Sequence, residues 1–133
     1  MRISLSCATP QYVGILTQEV ITYLGLECQP GPIYIGPSNI EHIKKRHPTE
    51  FVDHLQDIPD IIQRPDYIGV HPRQGGIEFV KVFDGAIMVS IRLSSKGVLF
   101  VRSLYDVSNS RIQTYLRKGT LLPFPEGNPV NRL

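Results

Sequence analysis

Residues 36–48 read GPSNIEHIKKRHP, and this stretch decides how the rest of the chain is interpreted. Ser38 and Glu41 have the spacing of a capping box, in which each side chain satisfies a backbone N–H group of the first turn. Pro48 disfavours helical geometry at His47, so the predicted helix ends there. The stretch therefore predicts a short helix that carries two histidines and three cations.

His42 is the residue of this helix that points to chemistry. A helix places it roughly opposite the apolar stripe formed by Ile40 and Ile43. Lys45 and Arg46 are its three- and four-residue neighbours on the helix surface. A histidine titrates near neutral pH, so His42 among cations suits proton transfer beside a polyanion. The alternative is an ordinary solvated histidine on a solvated, charged helix face.

Composition indicates one compact globular domain, which we assign to residues 1–120, followed by a proline-rich tail over residues 121–133. The 14 Lys and Arg residues against 12 acidic residues give a net charge of only +2, so binding to a polyanion requires local clustering. No apolar run is long enough to span a bilayer, and residues 1–9 do not resemble a signal peptide, so we expect a cytoplasmic protein. Cys7 and Cys28 have neither disulfide-scaffold nor metal-site spacing, and we expect no metal and no cofactor.

The first half of the chain is predicted to be mainly helical. A first helix is predicted over residues 10–26, a short strand over residues 33–35, and a third helix, capped by Thr49, over residues 50–56. The first of these rests on apolar residues at helical spacing, which are Val13, Leu16, Val20 and Leu24.

The second half of the chain is predicted to be rich in strands. The four predicted strands cover residues 66–70, 77–83, 86–93 and 98–107. Asp84-Gly85 is the strongest hairpin signal between them. A last helix is predicted over residues 111–118, capped by Asn109 or Ser110 and stopped by Gly119. Helices followed by an antiparallel meander predict an α+β domain.

The order and spacing of several motifs resemble the phage-type branch of the barnase–EndoU–colicin–RelE nuclease superfamily. The match covers roughly residues 10–120, and the segments that carry it are Ser38–His42, Arg46–Pro48, Pro65–Gly69, Ile77–Lys81 and Leu99–Tyr105. The resemblance implies N-terminal helices packed on a four-stranded antiparallel sheet with one C-terminal helix. It also implies metal-independent RNA cleavage, often as a toxin.

The resemblance implies an active site made of a histidine before the sheet, basic residues on the strands, and a Ser/Thr-x-Tyr pair on a late strand. In this chain those positions are His42 or His47, Lys81 and Arg92, and Ser103 with Tyr105. RNA cleavage without a metal needs a base for the 2′-hydroxyl, an acid for the leaving oxygen, and stabilisation of the phosphate charge. We expect Lys81, Arg92, Ser103 and Tyr105 to converge from three successive strands.

Each of these residues also has a structural interpretation. His47 suits a helix C-terminus, and the strand residues suit an exposed sheet face. Glu78 is a further acid/base candidate with weak support, because it is a single glutamate on a strand. The alternative to RNA contact is a solvated helix face for the basic residues of the predicted histidine helix, and surface ion pairs for the two arginines further along the chain. The residues expected to contact RNA are Lys44, Lys45, Arg46, Arg102 and Arg111.

We therefore predict a metal-independent endoribonuclease of toxin type, accompanied by an antitoxin or immunity protein. Two alternatives remain at this point. One is a non-catalytic RNA-binding module on the same fold, and the other is a phage structural or interaction domain that has lost the chemistry.

Overall fold

The computed structural model describes residues 2–124 of the chain. Its strands are β1 (Gln11–Leu16), β2 (Gly31–Ile35), β3 (Tyr67–Val70), β4 (Ile77–Val82), β5 (Ala86–Leu93), β6 (Leu99–Val107) and β7 (Leu121–Pro123). Its α-helices are α1 (Gln18–Leu24), α2 (Pro37–Arg46), α3 (Pro48–His54), α4 (Ile58–Gln63) and α5 (Asn109–Lys118). A 3₁₀ turn, Leu55–Asp57, joins α3 to α4.

The strands form one mixed sheet of seven, in the order β1-β2-β6-β5-β4-β3-β7. Strand β2 is parallel to β6, and the other neighbours are antiparallel. The predicted four-stranded antiparallel sheet is therefore wrong. The four predicted strands do form, as β3 to β6, but β1 and β2 extend the sheet on one side and β7 extends it on the other. Strand β7 occupies the start of the predicted tail, and residues 125–133 of that tail lie outside the described part of the chain.

The predicted first helix over residues 10–26 is wrong in its first half, which forms β1. A bulge between Tyr12 and Gly14 shifts the pairing register with β2. Because of this extra residue, Val13 and Leu16 both face the core although they are three residues apart. The bulge thus produces helical spacing in a strand. Thr17 then accepts a hydrogen bond from the Val20 N–H group at 3.2 Å and starts α1.

Helix α2 begins two residues earlier than the capping box predicted. Gly36 is its N-cap, and the side-chain oxygen of Asn39 accepts a hydrogen bond from the Gly36 N–H group at 2.7 Å. Ile40 and Ile43 are buried as the apolar stripe predicted. Pro48 ends α2, but it also starts α3 immediately, so the predicted cap at Thr49 is wrong.

Two apolar clusters cover the two faces of the sheet. Helices α1 to α4 pack on the inner face, which includes Phe79, Val89 and Leu104. Helix α5 packs on the outer face, where its Ile112 joins a smaller cluster with Met88. The outer face is therefore the side on which the C-terminal helix lies.

A bulge in β6 sets which of its side chains reach the outer face. Ser103 pairs with Ser90, but Val101 already pairs with Ile91, so Arg102 is an extra residue. Val101 consequently lies in the inner core, whereas Ser103 shares the outer face. An unbroken strand would have placed Val101 and Ser103 on one face, and the bulge separates them.

Candidate active site

The outer face carries a row of polar side chains across three adjacent strands. Glu78 of β4 pairs with Ser90 of β5, and Ser90 pairs with Ser103 of β6. The next row along the strands contains Met88 and Tyr105. Glu78 and Ser90 are the two polar residues that the described part of the chain buries. This row is the centre of the candidate site, and we call it the outer-face cluster together with Tyr105.

Glu78 is a buried carboxyl group in this row. Glu78 is only 6% exposed. Its side chain forms no hydrogen bond with any residue that the structure describes. Burial raises the pKa of Glu78 from 4.5 to about 7, while the charge of Arg111 opposes the rise. A carboxyl group with this pKa exchanges a proton near neutral pH, which is what a general acid or base needs.

Tyr105 lies next to His47 at the edge of the cluster. The two rings are 5.7 Å apart between centroids and 30° apart in plane, which is a stacked arrangement. The Tyr105 hydroxyl donates a hydrogen bond to the sulfur of Met88 at 2.9 Å. Burial raises the pKa of Tyr105 to about 12, and the charge of Glu78 contributes to the rise. Tyr105 therefore keeps its proton and can act as a hydrogen-bond donor.

His47 reaches Tyr105 from the junction of α2 and α3. Its N–H group closes α2 by donating to the Ile43 carbonyl at 2.8 Å. Strand β2 pairs with β6 only at the start of β6, where Ile33 and Tyr34 lie opposite Leu99 and Phe100. The helices that follow β2 then run beside the rest of β6, and this brings His47 to Tyr105.

Helix α5 adds a cation to the cluster. Ser108 caps the helix by accepting a hydrogen bond from the Arg111 N–H group at 3.2 Å, which corrects the predicted cap at Asn109 or Ser110. The Arg111 guanidinium donates to the Tyr115 hydroxyl at 2.7 Å. Its charge lowers the pKa of both Glu78 and Tyr105, so it acts on both groups.

Two further arginines lie on the same side of the sheet. Arg102 projects from the β6 bulge, donates a hydrogen bond to Gln74, and lowers the pKa of Tyr105. Arg92 is exposed on β5, two residues beyond Ser90, and pairs with Phe100. The structure thus brings together Ser103, Tyr105, His47, Arg102 and Arg111 from the predicted set, with Arg92 adjacent.

Lys81 does not join this cluster. It pairs with Ile87, an inner-core residue, so the two side chains share the inner face. The Lys81 ammonium group donates to the Arg64 carbonyl at 2.9 Å and lies 3.8 Å from the Asp60 carboxylate. The expected convergence of Lys81 with Arg92, Ser103 and Tyr105 is therefore wrong for Lys81.

His42 is placed on the exposed side of α2, as its position in the sequence predicted. It has no ring contact or hydrogen bond with the part of the chain that the structure describes. The neighbouring cations Lys44, Lys45 and Arg46 are also exposed and unpaired within residues 2–124. Their predicted contact with RNA stays a prediction.

Glu78 is the residue that sequence reasoning undervalued. It stands between Ile77 and Phe79 in a strand that is otherwise apolar up to Lys81, and carboxylates are unfavourable at such positions. A lone acid in an apolar strand was the available signal. Its burial depends on the helix that covers the outer face, which the strand sequence does not contain.

The described residues contain neither a metal-binding cluster nor a helix that could span a membrane. Within residues 2–124, no group of three or more His, Cys, Asp or Glu side chains is arranged to hold a metal ion. None of the helices in the same residues combines the length and hydropathy that crossing a bilayer requires.

A protein-family model matches residues 10–114, and its description is "phage-Barnase-EndoU-ColicinE5/D-RelE like nuclease3". Neither the curated proteins nor the solved structures include a significant match. The family match covers most of the chain and confirms the predicted family. The chain belongs to this phage-type nuclease family, and its membership supports nuclease activity.

Proposed function

We propose that this member of the nuclease family is a metal-independent endoribonuclease of toxin type, which cleaves RNA at the outer-face cluster. The observation that carries the proposal is the buried carboxyl group of Glu78, whose pKa of about 7 suits proton transfer at neutral pH. It lies in one row with Ser90 and Ser103, beside the stacked pair of His47 and Tyr105.

RNA supplies its own nucleophile, the 2′-hydroxyl group next to the scissile phosphate. Attack of this oxygen on phosphorus forms a 2′,3′-cyclic phosphate and breaks the bond to the 5′-oxygen of the next nucleotide. One protein group must accept the proton of the 2′-hydroxyl, and another must protonate the leaving 5′-oxygen. The protein must also stabilise the negative charge that grows on the phosphate oxygens.

Glu78 and His47 are assigned the two proton transfers. Burial holds a proton on Glu78 up to about pH 7, so Glu78 is the general acid for the leaving oxygen. A histidine titrates near neutrality and accepts a proton readily, so His47 is the general base. His47 is preferred over His42 because its ring stacks on Tyr105.

Arg111 and Tyr105 are assigned to the phosphate. A guanidinium group presents several donors in a fixed plane and matches two phosphate oxygens at once. Arg111 acts electrostatically on both Glu78 and Tyr105, which supports a position near the reacting centre. Tyr105 retains its proton and donates from the edge of the cluster, with Ser103 two residues away along β6.

The toxin assignment rests on the resemblance to the superfamily. A ribonuclease of this kind harms its own host unless it is restrained, so the proposal includes an antitoxin or immunity protein that binds it. Induction in a bacterial host tests this part. The wild type should abolish colony formation, and Glu78→Gln should allow colonies to form.

The direct test is cleavage of total RNA in excess EDTA. Wild-type protein is expected to leave 2′,3′-cyclic phosphate ends, and Glu78→Gln and His47→Ala are each expected to lower kcat/KM about 100- to 10,000-fold. His42→Ala and Glu41→Gln, which change exposed residues of α2, serve as matched controls and should cleave as the wild type does. Loss of cleavage in EDTA, or full activity in both Glu78→Gln and His47→Ala, would overturn the proposal.

A further inference from the structure

A groove lies beside the outer-face cluster and has no role in the proposed chemistry. It has a volume of about 450 Å³, which lies in the range of small-molecule sites. The residues that line it are Pro10, Gly36, Pro37, Ser38, Asn39, Arg92, Ser94, Phe100 and Arg102. One wall is the start of α2, and the other is the end of the β5–β6 ladder. We call it the α2 groove.

The charge of the α2 groove is positive and uncompensated. Arg92 and Arg102 both line it, and none of its nine lining residues is acidic. Neither arginine forms an ion pair with a residue that the structure describes. Arg102 uses one donor on Gln74, which leaves most of its five N–H groups free. Two like charges that share a groove without an acid favour an anionic ligand.

The apolar part of the groove includes an aromatic ring. Phe100 is half-buried, and its ring lies 6.3 Å from the ring of Tyr34. Pro10 and Pro37 add apolar surface to the same groove. An aromatic ring that shares a groove with two guanidinium groups matches a nucleotide, because the base can stack on the ring and the phosphate can bind the cations.

The groove adjoins the outer-face cluster. Arg102 lines the groove and also lowers the pKa of Tyr105, so it acts on both sites. Arg92 and Phe100 face each other in the strand pair, and Ser90 with Ser103 form the polar row next to them on the same side of the sheet. Arg92 lies two residues from Ser90 along β5, which corresponds to roughly 7 Å. A chain of nucleotides that crosses the cluster would therefore continue into the groove.

We propose that the α2 groove is a nucleotide subsite of the enzyme, which binds an unpaired base of the RNA strand next to the scissile phosphate. The base stacks on Phe100, and Arg92 and Arg102 hold the adjoining backbone phosphate. The inference rests on the proposed ribonuclease function and adds that the substrate is single-stranded at this position. A base inside a duplex is paired and stacked, so it is not free to enter the groove.

The test measures binding separately from cleavage. The probe is a fluorescent, single-stranded 2′-O-methyl oligoribonucleotide of mixed sequence, which cannot be cleaved because the 2′-oxygen is blocked. Its affinity for the full chain is measured by fluorescence anisotropy over a range of salt concentrations.

Phe100→Leu is expected to weaken binding about 10-fold, because one base loses its stacking partner. Phe100→Tyr keeps an aromatic ring and should retain the affinity. Phe83→Leu removes an aromatic ring that packs on His54 at 4.7 Å, away from the groove, and should also bind normally. Thermal unfolding of each variant shows whether a lower affinity reflects a loss of folded protein.

The double variant Arg92→Gln/Arg102→Gln is expected to reduce the slope of log affinity against log salt by about 0.7, the value for one phosphate contact on a single strand. Arg64→Gln removes the same charge from a residue that pairs with Asp60 in α4 and should leave the slope unchanged. A duplex of the same sequence should compete poorly with the probe.

Wild-type affinity in the Phe100 and arginine variants, equal competition by the duplex, or no binding of the probe by the wild type would each overturn the subsite. If RNA is cleaved and the Glu78 and His47 variants lose activity, the proposed function stands whatever the groove variants show. If the probe binds through the groove but RNA is never cleaved, the subsite stands as a binding site and the proposed function fails.

Discussion

The two faces of the sheet are built from the same strands but differ in composition. The inner face is covered by four helices and is apolar across β4, β5 and β6, where Phe79, Val89 and Leu104 pair in one row. The outer face is covered by one helix and carries the row formed by Glu78, Ser90 and Ser103. Adjacent residues of one strand, such as Glu78 and Phe79, therefore lie in different environments.

The difference shows where the fold tolerates an unfavourable group. A buried carboxyl group without a hydrogen-bond partner opposes folding when it ionises, so stability alone would not select Glu78. The inner face supplies apolar burial that offsets this cost. The outer face can then hold groups that the proposed chemistry needs. Substitutions on the two faces are therefore expected to differ in their effects on stability and on cleavage.

The largest effect is expected for Glu78→Gln, with opposite signs for activity and stability. Cleavage should fall about 100- to 10,000-fold because Glu78 is the proposed general acid. Stability should rise above pH 7, because the wild-type pKa of about 7 exceeds its ordinary value of 4.5. The folded wild type binds this proton more tightly than the unfolded chain does, so its free energy of unfolding falls as pH rises from about 4.5 to about 7.

Urea unfolding of Glu78→Gln and the wild type between pH 4 and pH 8 checks this sign. The two proteins should converge at the acid end and diverge as the wild-type carboxyl group ionises. The alkaline limb of the wild-type kcat/KM profile should fall near pH 7 for the same reason. A variant that is less stable than the wild type at pH 8 would contradict the assignment of Glu78 as a buried, unpartnered acid.

Phe79→Ala is expected to show the reverse pattern at the neighbouring position. Phe79 is 1% exposed on the inner face, and truncating a buried Phe to Ala costs about 3–5 kcal/mol of the free energy of unfolding. Activity per folded molecule should stay near that of the wild type, since the side chain does not reach the outer face. Urea unfolding and cleavage rates normalised to the folded fraction provide the measurement. A loss of activity without a loss of stability would contradict the separation of the two faces.

The local part of the fold could be predicted from the sequence. The Asp84-Gly85 turn joined two strands predicted over residues 77–83 and 86–93, and the structure places them at Ile77–Val82 and Ala86–Leu93. Two bulges made the sequence pattern misleading elsewhere. The bulge after Tyr12 gives a strand the apolar spacing of a helix, and the bulge at Arg102 changes which residues of β6 share a face. The parallel pairing of β2 with β6 joins segments far apart in the chain, and no local pattern encodes it.

The site could be predicted only in part for the same physical reason. Ser103 and Tyr105 shared a face whatever the register, because they follow the bulge together. Whether His42 or His47 lies beside Tyr105 depends on how the helices after β2 pass β6, and the burial of Glu78 depends on α5. Both are tertiary facts, and Lys81 was misplaced because its partner strand sets which face it shares.

Tyr105→Phe sharpens the comparison within the outer face. The ring should still stack on His47, but the hydroxyl that donates to Met88 is lost. A hydrogen bond to a charged phosphate is worth about 1.5–3 kcal/mol, so kcat/KM should fall about 10-fold or more, while stability should change by about 1 kcal/mol or less. Tyr12→Phe on the exposed edge strand β1 is the matched control. Equal cleavage by Tyr105→Phe and the wild type would remove Tyr105 from the phosphate site.

The smallest effect is expected for Lys81→Met, which tests the inner face at its polar end. The substitution keeps a long apolar stem but removes the hydrogen bond to the Arg64 carbonyl, at a cost of about 1 kcal/mol. Cleavage and the salt dependence of RNA binding should not change, because Lys81 lies on the side of the sheet away from the cluster. Arg92→Gln, on the outer face, provides the contrast in the binding assay. A fall in RNA affinity for Lys81→Met at unchanged stability would mean that RNA reaches the inner face, and the division between an apolar face for folding and a polar face for chemistry would then be wrong.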